Sequence, residues 1–301
     1  MLRIFLSAER GFCSGVKRAV ALALSEACHA AENGKKAYIL HELVHNRAVV
    51  EDLAARGVFI VDSPEGLPEN STLIFSAHGV SERIENRARA LPLHVADATC
   101  PLVRHVHSLA AELRRQGYRI LLAGKRGHRE TEGILGRIPD GTGFLLESEK
   151  EAEAFRPEPD EKYALLSQTT FLSDAFERIR IILTEKIPSL HTENTICPST
   201  LRRQRSVRNL AARFSAVAVV GSAGSSNSRR LCETARTEGA EAFLLEAASG
   251  IPERLRSFSG TLALTSGASA SEEEVQAVLK QLLALPGAEF AGETCPDEGS
   301  L

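Results

Sequence analysis

The stretch "LHVADATCPLVRHVHSLAAELRRQGYRILLAG", residues 93–124, decides the fold class. A short apolar run leads into a polar turn at Cys100, an amphipathic segment follows, and Gly117 separates that segment from a second apolar run. Because glycine is common just after a helix, the middle segment is predicted to be a helix that ends near Gly117. Strand, helix and strand in this order predict a βαβ unit and therefore a parallel sheet.

The same unit recurs along the chain. Apolar runs typical of strands buried on both faces are "LRIFLSA", "KAYIL", "TLIFSA", "YRILLAG", "YALLSQ", "AVAVVG" and "TLALTS". Helical segments follow them, with S-x-x-E capping-box spacing at Ser148 and Ser271. Glycines stand at predicted C-caps at positions 34, 57, 117 and 239. We therefore predict an α/β protein with parallel-type sheets. Residues 286–301 carry no such pattern and predict a loose C-terminal tail.

Composition limits the possible functions. The chain has 301 residues, of which 43% are hydrophobic and 25% charged, as in soluble globular proteins. A net charge of −3 gives no basic footprint for nucleic acid or an anionic membrane. The first apolar run is too short for a signal peptide and no stretch is long enough to span a bilayer, so we expect a cytoplasmic protein. There, the six cysteines are expected to be thiols or metal ligands rather than disulfides.

Three of the cysteines, Cys13, Cys100 and Cys197, stand at predicted helix N-termini. They are separated by 87 and 97 residues, each close to a third of the chain. Pairs of polar turns lie between and after them: His45 and His78, then His128 and Thr169, then Ser225-Ser226-Asn227 and Ser269. This is a threefold architectural pattern, although the thirds share no obvious residue identity.

The position of these turns suggests their chemistry. In open parallel sheets, ligands bind beyond the carboxyl ends of the strands, where helix N-termini present N–H groups and a partial positive charge. An anion fits there, and the same field favours the thiolate form of cysteine. Three thiolates are too few for a closed tetrahedral zinc site but suit an iron–sulfur cluster with one open iron. An open iron is a Lewis acid that can accept a substrate oxygen.

Eight motifs in order carry a family resemblance. They are "GFCSGVKRAV", "HELVHNRAVVEDLAARG", "IFSAHGVS", "DATCPLV", "GHRETEG", "SQTT", "GSSNSRRL" and "TSGAS". Over residues 1–285 the chain resembles the 4-hydroxy-3-methylbut-2-enyl diphosphate reductases of the methylerythritol phosphate route to isoprenoids. The resemblance implies a monomeric, pseudo-threefold trefoil of three similar α/β domains around a 4Fe-4S cluster. The domains are expected at 14–98, at 99–194, and at 1–13 plus 195–285.

The resemblance also implies roles for individual residues. Cys13, Cys100 and Cys197 hold the cluster, whose fourth iron is open to substrate. The residues expected to hold the substrate diphosphate are His45, His78, His128, Ser225, Ser226, Asn227 and Ser269.

The chemistry implied by the resemblance is a reductive dehydroxylation. Thr169 hydrogen-bonds the allylic hydroxyl, Glu130 supplies the proton with which it leaves as water, and Thr170 helps to set this network. Two electrons, from a flavodoxin or ferredoxin, give isopentenyl or dimethylallyl diphosphate. Glu130 must be protonated near neutral pH, so we predict that partial burial beside the anionic diphosphate raises its pKa.

The residues alone leave two alternative functions, a zinc hydrolase and an iron–sulfur sensor. "HELVH", His41 to His45, matches the H-E-x-x-H zinc hydrolase signature, but that signature needs a helix, and here the helical pattern begins only at Asn46. A non-catalytic iron–sulfur sensor would explain the cysteines but not Glu130, Thr169 or the anion turns.

Some residues depart from the family or lack a motif. "TICPSTLRRQ" and "GSAGSSNS" differ from the usual family sequence near Cys197 and before Ser225, which puts local loop geometry in doubt. Pro198 is compatible with the first turn of a helix. The residues expected to be structural are Cys28, Cys232, Cys295, His94, His105, His107 and His191.

Overall fold

The computed structural model describes residues 1–294. The strands are β1 (Leu2–Leu6), β2 (Ala37–Leu40), β3 (Val58–Val61), β4 (Thr72–Phe75), β5 (His94–Asp97), β6 (Tyr118–Ala123), β7 (Gly143–Leu146), β8 (Lys162–Ser167), β9 (His191–Thr192), β10 (Ala216–Val220), β11 (Glu241–Leu245), β12 (Gly260–Ser266) and β13 (Ala288–Glu293). The helices are α1 (Ser14–Glu32), α2 (Arg47–Ala55), α3 (Glu82–Ala90), α4 (Pro101–Arg115), α5 (Arg129–Leu135), α6 (Glu149–Ala154), α7 (Ser173–Lys186), α8 (Pro198–Arg213), α9 (Ser226–Thr237), α10 (Glu253–Arg256) and α11 (Glu272–Leu283).

The strands form three sheets, and every strand pair among the described residues is parallel. The predicted α/β class is therefore confirmed, as are all seven predicted strands, which correspond to β1, β2, β4, β6, β8, β10 and β12. The four glycines predicted as C-caps have positive φ angles of 64–90°, a conformation that glycine adopts without steric cost. No helix in residues 1–294 is both long and apolar enough to cross a membrane.

The chain divides into two compact units. Unit 1 comprises Met1–Ser14, His45–Arg47 and the chain from Pro198 onward, and unit 2 comprises Gly15–Val44 and Ala48–Cys197. The predicted division into three domains stays a prediction: the first two ranges each contain one four-stranded sheet, and the third contains four of the five strands of the remaining sheet.

Unit 1 contains a five-stranded sheet in the order β11-β10-β12-β1-β13. Its interior strand β10, "AVAVV", is buried at every position, which explains its continuous apolar sequence. α11 packs an apolar stripe of Val275, Val278 and Leu282 into the same core. This helix begins with the predicted capping box, in which Ser271 and Glu274 each accept the other's backbone N–H.

The tail prediction was wrong for residues 288–293, which form β13. β13 pairs in parallel with β1, starting with Leu2 opposite Ala288. Most of its side chains are exposed or half-buried, and the backbone hydrogen bonds of an edge strand leave little pattern in the sequence. Cys295 and the rest of the tail lie outside the described residues.

Unit 2 contains two four-stranded sheets, in the orders β3-β2-β4-β5 and β7-β6-β8-β9. The turn after β4 contacts the C-terminal end of α5 at a joint between the two sheets. Glu82 donates its backbone N–H to the Gly136 carbonyl at 3.2 Å, and Arg137 donates to the Val80 carbonyl at 2.9 Å. Arg137 also forms an ion pair with Glu85 at 2.7 Å. The joint fixes the β4 turn relative to α5.

Candidate functional site

Each of the three candidate cysteines immediately precedes a helix, as predicted. Cys13 stands before α1, Cys100 is the N-cap of α4, and Cys197 stands before α8. All three are partly exposed. A helix N-terminus favours the thiolate, so each position suits a metal ligand.

One backbone hydrogen bond occurs at all three cysteines. The N–H of Cys13 donates to the Ala268 carbonyl at 3.0 Å, directly before Ser269. The N–H of Cys100 donates to the Ala77 carbonyl at 3.0 Å, directly before His78. The N–H of Cys197 donates to the carbonyl of Thr169 itself at 2.9 Å. Each cysteine is thus tied to a polar turn that follows another strand, a contact that recurs at all three cysteines and that the sequence analysis did not predict.

Glu130 is the most perturbed carboxyl group of unit 2. It lies in the first turn of α5 and is 2% exposed. Its Oε1 accepts the backbone N–H of Thr169 at 2.6 Å. Burial raises the pKa of Glu130 to about 7 and outweighs the hydrogen bonds from Thr169 and Gln168, which lower it. The predicted rise in pKa is confirmed, and burial within the protein alone produces it.

A short polar network supports the Glu130 site. Gln168 accepts the backbone N–H of Lys125 at 3.0 Å and donates its amide to the hydroxyl of Thr170 at 3.0 Å. Gln168 and Thr169 are both buried. Thr170 thus contacts Gln168, and its predicted help to the network stays a prediction. The sequence analysis gave Gln168 no role of its own.

His128 and His78 lie beside each other in unit 2. Their rings meet edge to face with centroids 5.5 Å apart. His128 is the N-cap of α5, and its Nδ1 accepts the backbone N–H of Glu130 at 3.1 Å. An accepting Nδ1 means that the neutral ring carries its proton on Nε2, a donor suited to an anionic oxygen.

A buried histidine, His107, packs against two glycines near His78 and α5. His107 lies on α4, and a Cβ built on Gly79 or Gly133 would stand 2.6 Å from its Cε1 or 3.1 Å from its Nε2. Its Nε2 is buried with no hydrogen-bond partner in the described part of the chain. Burial, with a smaller effect of Arg137, lowers its pKa to about 4, so the ring is neutral at physiological pH. His107 therefore fills a slot between the His78 turn and α5.

Unit 1 carries a polar helix N-terminus. Ser225 is the N-cap of α9 and accepts the backbone N–H of Ser228 at 3.3 Å, and Ser226 and Asn227 form the first turn. All four residues are at most 5% exposed. Both polar atoms of the Asn227 side chain are buried without a hydrogen-bond partner in residues 1–294. Buried unsatisfied amides are costly, so this side chain is suited to a polar ligand.

Ser269 joins this helix end to the His45 turn. Its hydroxyl lies 3.4 Å from the His45 carbonyl and 3.5 Å from the Ser225 hydroxyl. The neighbouring Asn46 is buried and donates its amide to the Ser269 carbonyl at 2.5 Å and to the Glu274 carboxylate at 2.6 Å. Sequence analysis treated Asn46 only as the start of a helical pattern; its long-range partners leave no local signal.

The predicted site residues are divided between the two units. Unit 1 holds Cys13, His45, Ser225, Ser226, Asn227 and Ser269, while unit 2 holds His78, Cys100, His128, Glu130, Thr169 and Cys197.

The HELVH segment does not form a zinc hydrolase site of the expected type. Residues 41–46 are irregular, and His41 has a positive φ of 62°. The segment is thus not the helix that H-E-x-x-H chemistry needs. His41 instead pairs with Asp62 at 3.3 Å.

Comparison with known proteins identifies the family. The family model described as "LytB protein" matches residues 4–283. The chain belongs to the LytB family. The resemblance carried by the eight motifs is therefore confirmed.

LytB relatives are similar to the chain over nearly its whole length. The "4-hydroxy-3-methylbut-2-enyl diphosphate reductase" of Nitrosomonas europaea is 40% identical over 286 residues, which cover 94% of this chain and 88% of the relative. The protein of the same name from Escherichia coli O1:K1 is 38% identical, with 99% of this chain and 93% of the relative covered.

Solved LytB-type structures share the fold. The E-1-hydroxy-2-methyl-but-2-enyl-4-diphosphate reductase of Plasmodium falciparum matches with a TM-score of 0.89 at 28% identity, covering 99% of this chain and 95% of that one. A second structure, (E)-4-hydroxy-3-methyl-but-2-enyl diphosphate reductase, matches with a TM-score of 0.65 at 30% identity, covering 93% and 99%.

The two departures from the usual LytB sequence are compatible with the local structure. Pro198 is the first residue of α8, where its missing N–H is not needed. A Cβ at Gly224 would lie 3.7 Å from the Cβ of His45, an ordinary contact, so a glycine or a larger residue fits. Of the other described cysteines, Cys232 is buried on α9 with its pKa raised by burial to about 11, as expected for a structural residue, whereas Cys28 is exposed on α1.

Proposed function

We propose that this LytB-family chain converts 4-hydroxy-3-methylbut-2-enyl diphosphate to isopentenyl and dimethylallyl diphosphate. The supporting observation is the linkage at Thr169. Its backbone N–H donates to the buried, protonatable Glu130, and its carbonyl accepts the N–H of Cys197. One residue therefore connects a proton donor with a candidate metal ligand. A reductive dehydroxylation needs both functions at one place.

Cys13, Cys100 and Cys197 would hold a 4Fe-4S cluster. The donor set fits, because thiolates are the usual ligands of such clusters and each of these cysteines lies at a helix N-terminus that favours the thiolate. When bound, the cluster would supply electrons and one open iron. Cysteine ligands must stay reduced, which favours a cytoplasmic location.

Neutral donors would bind the diphosphate. In unit 1 these are Ser225, Ser226 and Asn227 at the start of α9, with Ser269 and His45 beside them. In unit 2 they are His78 and His128, of which His128 presents an Nε2–H. Helix N-termini and uncharged donors bind phosphate without a surplus of lysine or arginine, consistent with the net charge of −3.

Glu130 would act as the proton donor. With a pKa of about 7 it keeps a substantial protonated fraction near neutral pH. It would protonate the allylic hydroxyl, which the Thr169 side chain orients, so that the C–O bond breaks and water leaves. Two electrons enter, and a second proton adds to carbon at either end of the allyl unit, which gives the two products. A flavodoxin or ferredoxin would deliver the electrons to a monomeric enzyme.

Anaerobic turnover tests the proposal. The cluster is reconstituted and its iron and sulfide are measured, and oxidation of reduced methyl viologen is followed when substrate is added. We expect rapid oxidation together with both C5 diphosphates. An intact cluster without turnover would support the alternative of an iron–sulfur sensor.

A further inference from the structure

Three segments of unit 2 meet at the side chain of His107. This histidine lies on α4 and is 5% exposed. One neighbour of its ring is Gly79, which directly follows His78 in the chain. The other neighbour is Gly133 on α5, one turn beyond Glu130 and on the same face of that helix. The ring therefore contacts the backbone beside a candidate diphosphate donor and the backbone beside the candidate proton donor.

The contacts at His107 leave no room for an additional carbon atom. A Cβ on Gly79 would lie 2.6 Å from Cε1 of the ring, and a Cβ on Gly133 would lie 3.1 Å from Nε2. The same Cβ on Gly133 would lie 3.6 Å from the carbonyl carbon of Gly79, so the two glycine backbones also approach each other. In an interior packed this closely, a change in side-chain volume displaces the neighbouring backbone. The size of the His107 side chain therefore sets how closely the His78 turn approaches α5.

α4 contacts the backbone on both sides of His78. On one side, the Ala77 carbonyl accepts the backbone N–H of Cys100, at the start of α4, at 3.0 Å. On the other side, Gly79 packs against the ring of His107, further along the same helix. Removal of the ring would release one of these two contacts, whereas the backbone hydrogen bond of Cys100 would remain. The position of His78 can therefore change without loss of the cysteine contact.

A histidine at this buried position is not what stability alone would favour. The Nε2 of His107 is buried and has no hydrogen-bond partner within residues 1–294. A buried polar atom without a partner lowers stability, and an aliphatic side chain would avoid that loss. Burial also lowers the pKa of His107 to about 4, so the ring is uncharged near neutral pH and neither attracts nor repels a diphosphate. The effect of His107 on its surroundings is therefore steric.

We propose that His107 is a positioning residue whose ring holds His78 and Glu130 at the spacing at which both act on one bound substrate, and this inference rests on the proposed reductase function. His78 binds the diphosphate end of the substrate, and Glu130 delivers a proton at the hydroxyl end. Misplacement of a reacting group by about 1 Å can lower a rate by about a hundredfold. A change at His107 therefore affects both kcat and KM, although the ring acts only through Gly79 and Gly133.

Substitutions on both sides of the contact test the proposal. His107→Ala removes the ring and lets the two glycine backbones move, whereas Gly133→Ala adds a methyl group that presses against the ring. Alanine suits the helical backbone at Gly133. In the double variant, the added methyl group occupies part of the space that the ring has left. The control is His105→Ala, which removes an exposed histidine from the same helix.

Two measurements on the reconstituted, cluster-loaded enzyme report on the two ends of the substrate. Calorimetric titration gives the Kd for inorganic diphosphate, and turnover with reduced methyl viologen gives kcat and KM per folded molecule. We expect each single variant to raise the Kd by about tenfold and to lower kcat/KM by about tenfold to a hundredfold. The double variant should recover part of both losses, and His105→Ala should match the unaltered enzyme.

Recovery in the double variant separates positioning from a general loss of stability. If His107 were only structural, its variants would unfold at lower denaturant concentration while the folded molecules kept the native Kd, kcat and KM, and that result would overturn the proposal. Losses that simply add in the double variant would also overturn it. If His107→Ala did not fold, Gly133→Ala would decide, because it leaves no cavity. Absence of turnover by the unaltered enzyme would count against the proposed function, whereas the Kd values would still show whether the ring positions His78.

Discussion

The candidate site residues of unit 1 and unit 2 differ in chemical type, although the backbone contacts of their cysteines are similar. In both units a cysteine N–H donates to the carbonyl of a polar turn. Unit 2 places a buried carboxyl group, Glu130, beside that turn, and burial brings its pKa to about 7. Unit 1 instead places hydroxyl and amide groups at the start of α9, and these do not titrate. The comparison indicates that proton delivery and anion binding use different groups, so a change at Glu130 should affect kcat, whereas a change at the start of α9 or at Ser269 should affect KM.

The largest expected effect is that of Glu130→Gln. The amide keeps the size of the side chain but cannot donate a proton as an acid, so kcat should fall by about a hundredfold to ten-thousandfold while substrate still binds. Glu132→Gln, on the exposed side of the same helix, is the control and should stay near the native rate. A normal kcat for Glu130→Gln would show that Glu130 is not the proton donor.

The dependence of kcat on pH tests the proton-donor role of Glu130. Glu130 acts as an acid, so kcat should fall about tenfold per pH unit above its pKa of about 7, and Glu130→Gln should lack this fall in kcat.

The stability of the folded protein should also fall as the pH rises. The folded-state pKa is raised, so raising the pH from 4.5 to 7 ionises Glu130 in the unfolded chain first and lowers stability by about 3 kcal/mol. Denaturant unfolding at several pH values measures this loss, which Glu130→Gln should abolish.

In unit 1 the expected change is in KM. Asn46→Asp places a carboxylate against Glu274 and against the Ser269 carbonyl, so it should displace Ser269 and raise KM by about tenfold with little change in kcat. Glu274→Gln in the same chain supplies a new donor and should recover part of the loss. A fall in kcat with an unchanged KM would contradict the role of Ser269 in binding the substrate.

The smallest expected effect concerns the slot around His107. Gly79→Ala adds a Cβ 2.6 Å from the His107 ring at a φ of 73°, whereas Gly57→Ala has a similar φ of 80° and open space. Both should lose stability through the positive φ, and Gly79→Ala should lose about 1–3 kcal/mol more through overpacking. Chemical denaturation measures both variants. Equal losses would show that His107 moves freely and does not position the His78 turn.

Sequence patterns predicted the buried strands well and the edge strands poorly. β10 and β12 are buried in the middle of their sheet and are nearly continuous in apolar residues, so their sequences alone reveal them. β13 lies at the sheet edge with exposed side chains, and β9 has only two residues. Strands of this kind are held by backbone hydrogen bonds to a neighbour, which the side-chain pattern does not encode.

The candidate site residues show the same contrast between local sequence patterns and long-range contacts. Polar turns after strands, such as those of His128 and Ser225, have a local signature in the sequence, and the structure places each of these residues at a helix N-cap. Asn46 and Gln168 were missed, because their partners lie far along the chain: Asn46 contacts Ser269, and Gln168 contacts Lys125. His107 was assigned to structure for want of a motif, and its two glycine neighbours appear only in the folded chain.

The sequence by itself determined the α/β class, the parallel order of the strands and the position of each candidate cysteine before a helix, because periodicity and capping are local properties. Only the tertiary structure decided that Glu130 is buried against Thr169, that each cysteine is tied to a polar turn, and that Asn46 links Ser269 to Glu274. The physical reason is that burial and long-range hydrogen bonds depend on which segments meet. The same carboxyl group exposed to water would have an ordinary pKa near 4.5.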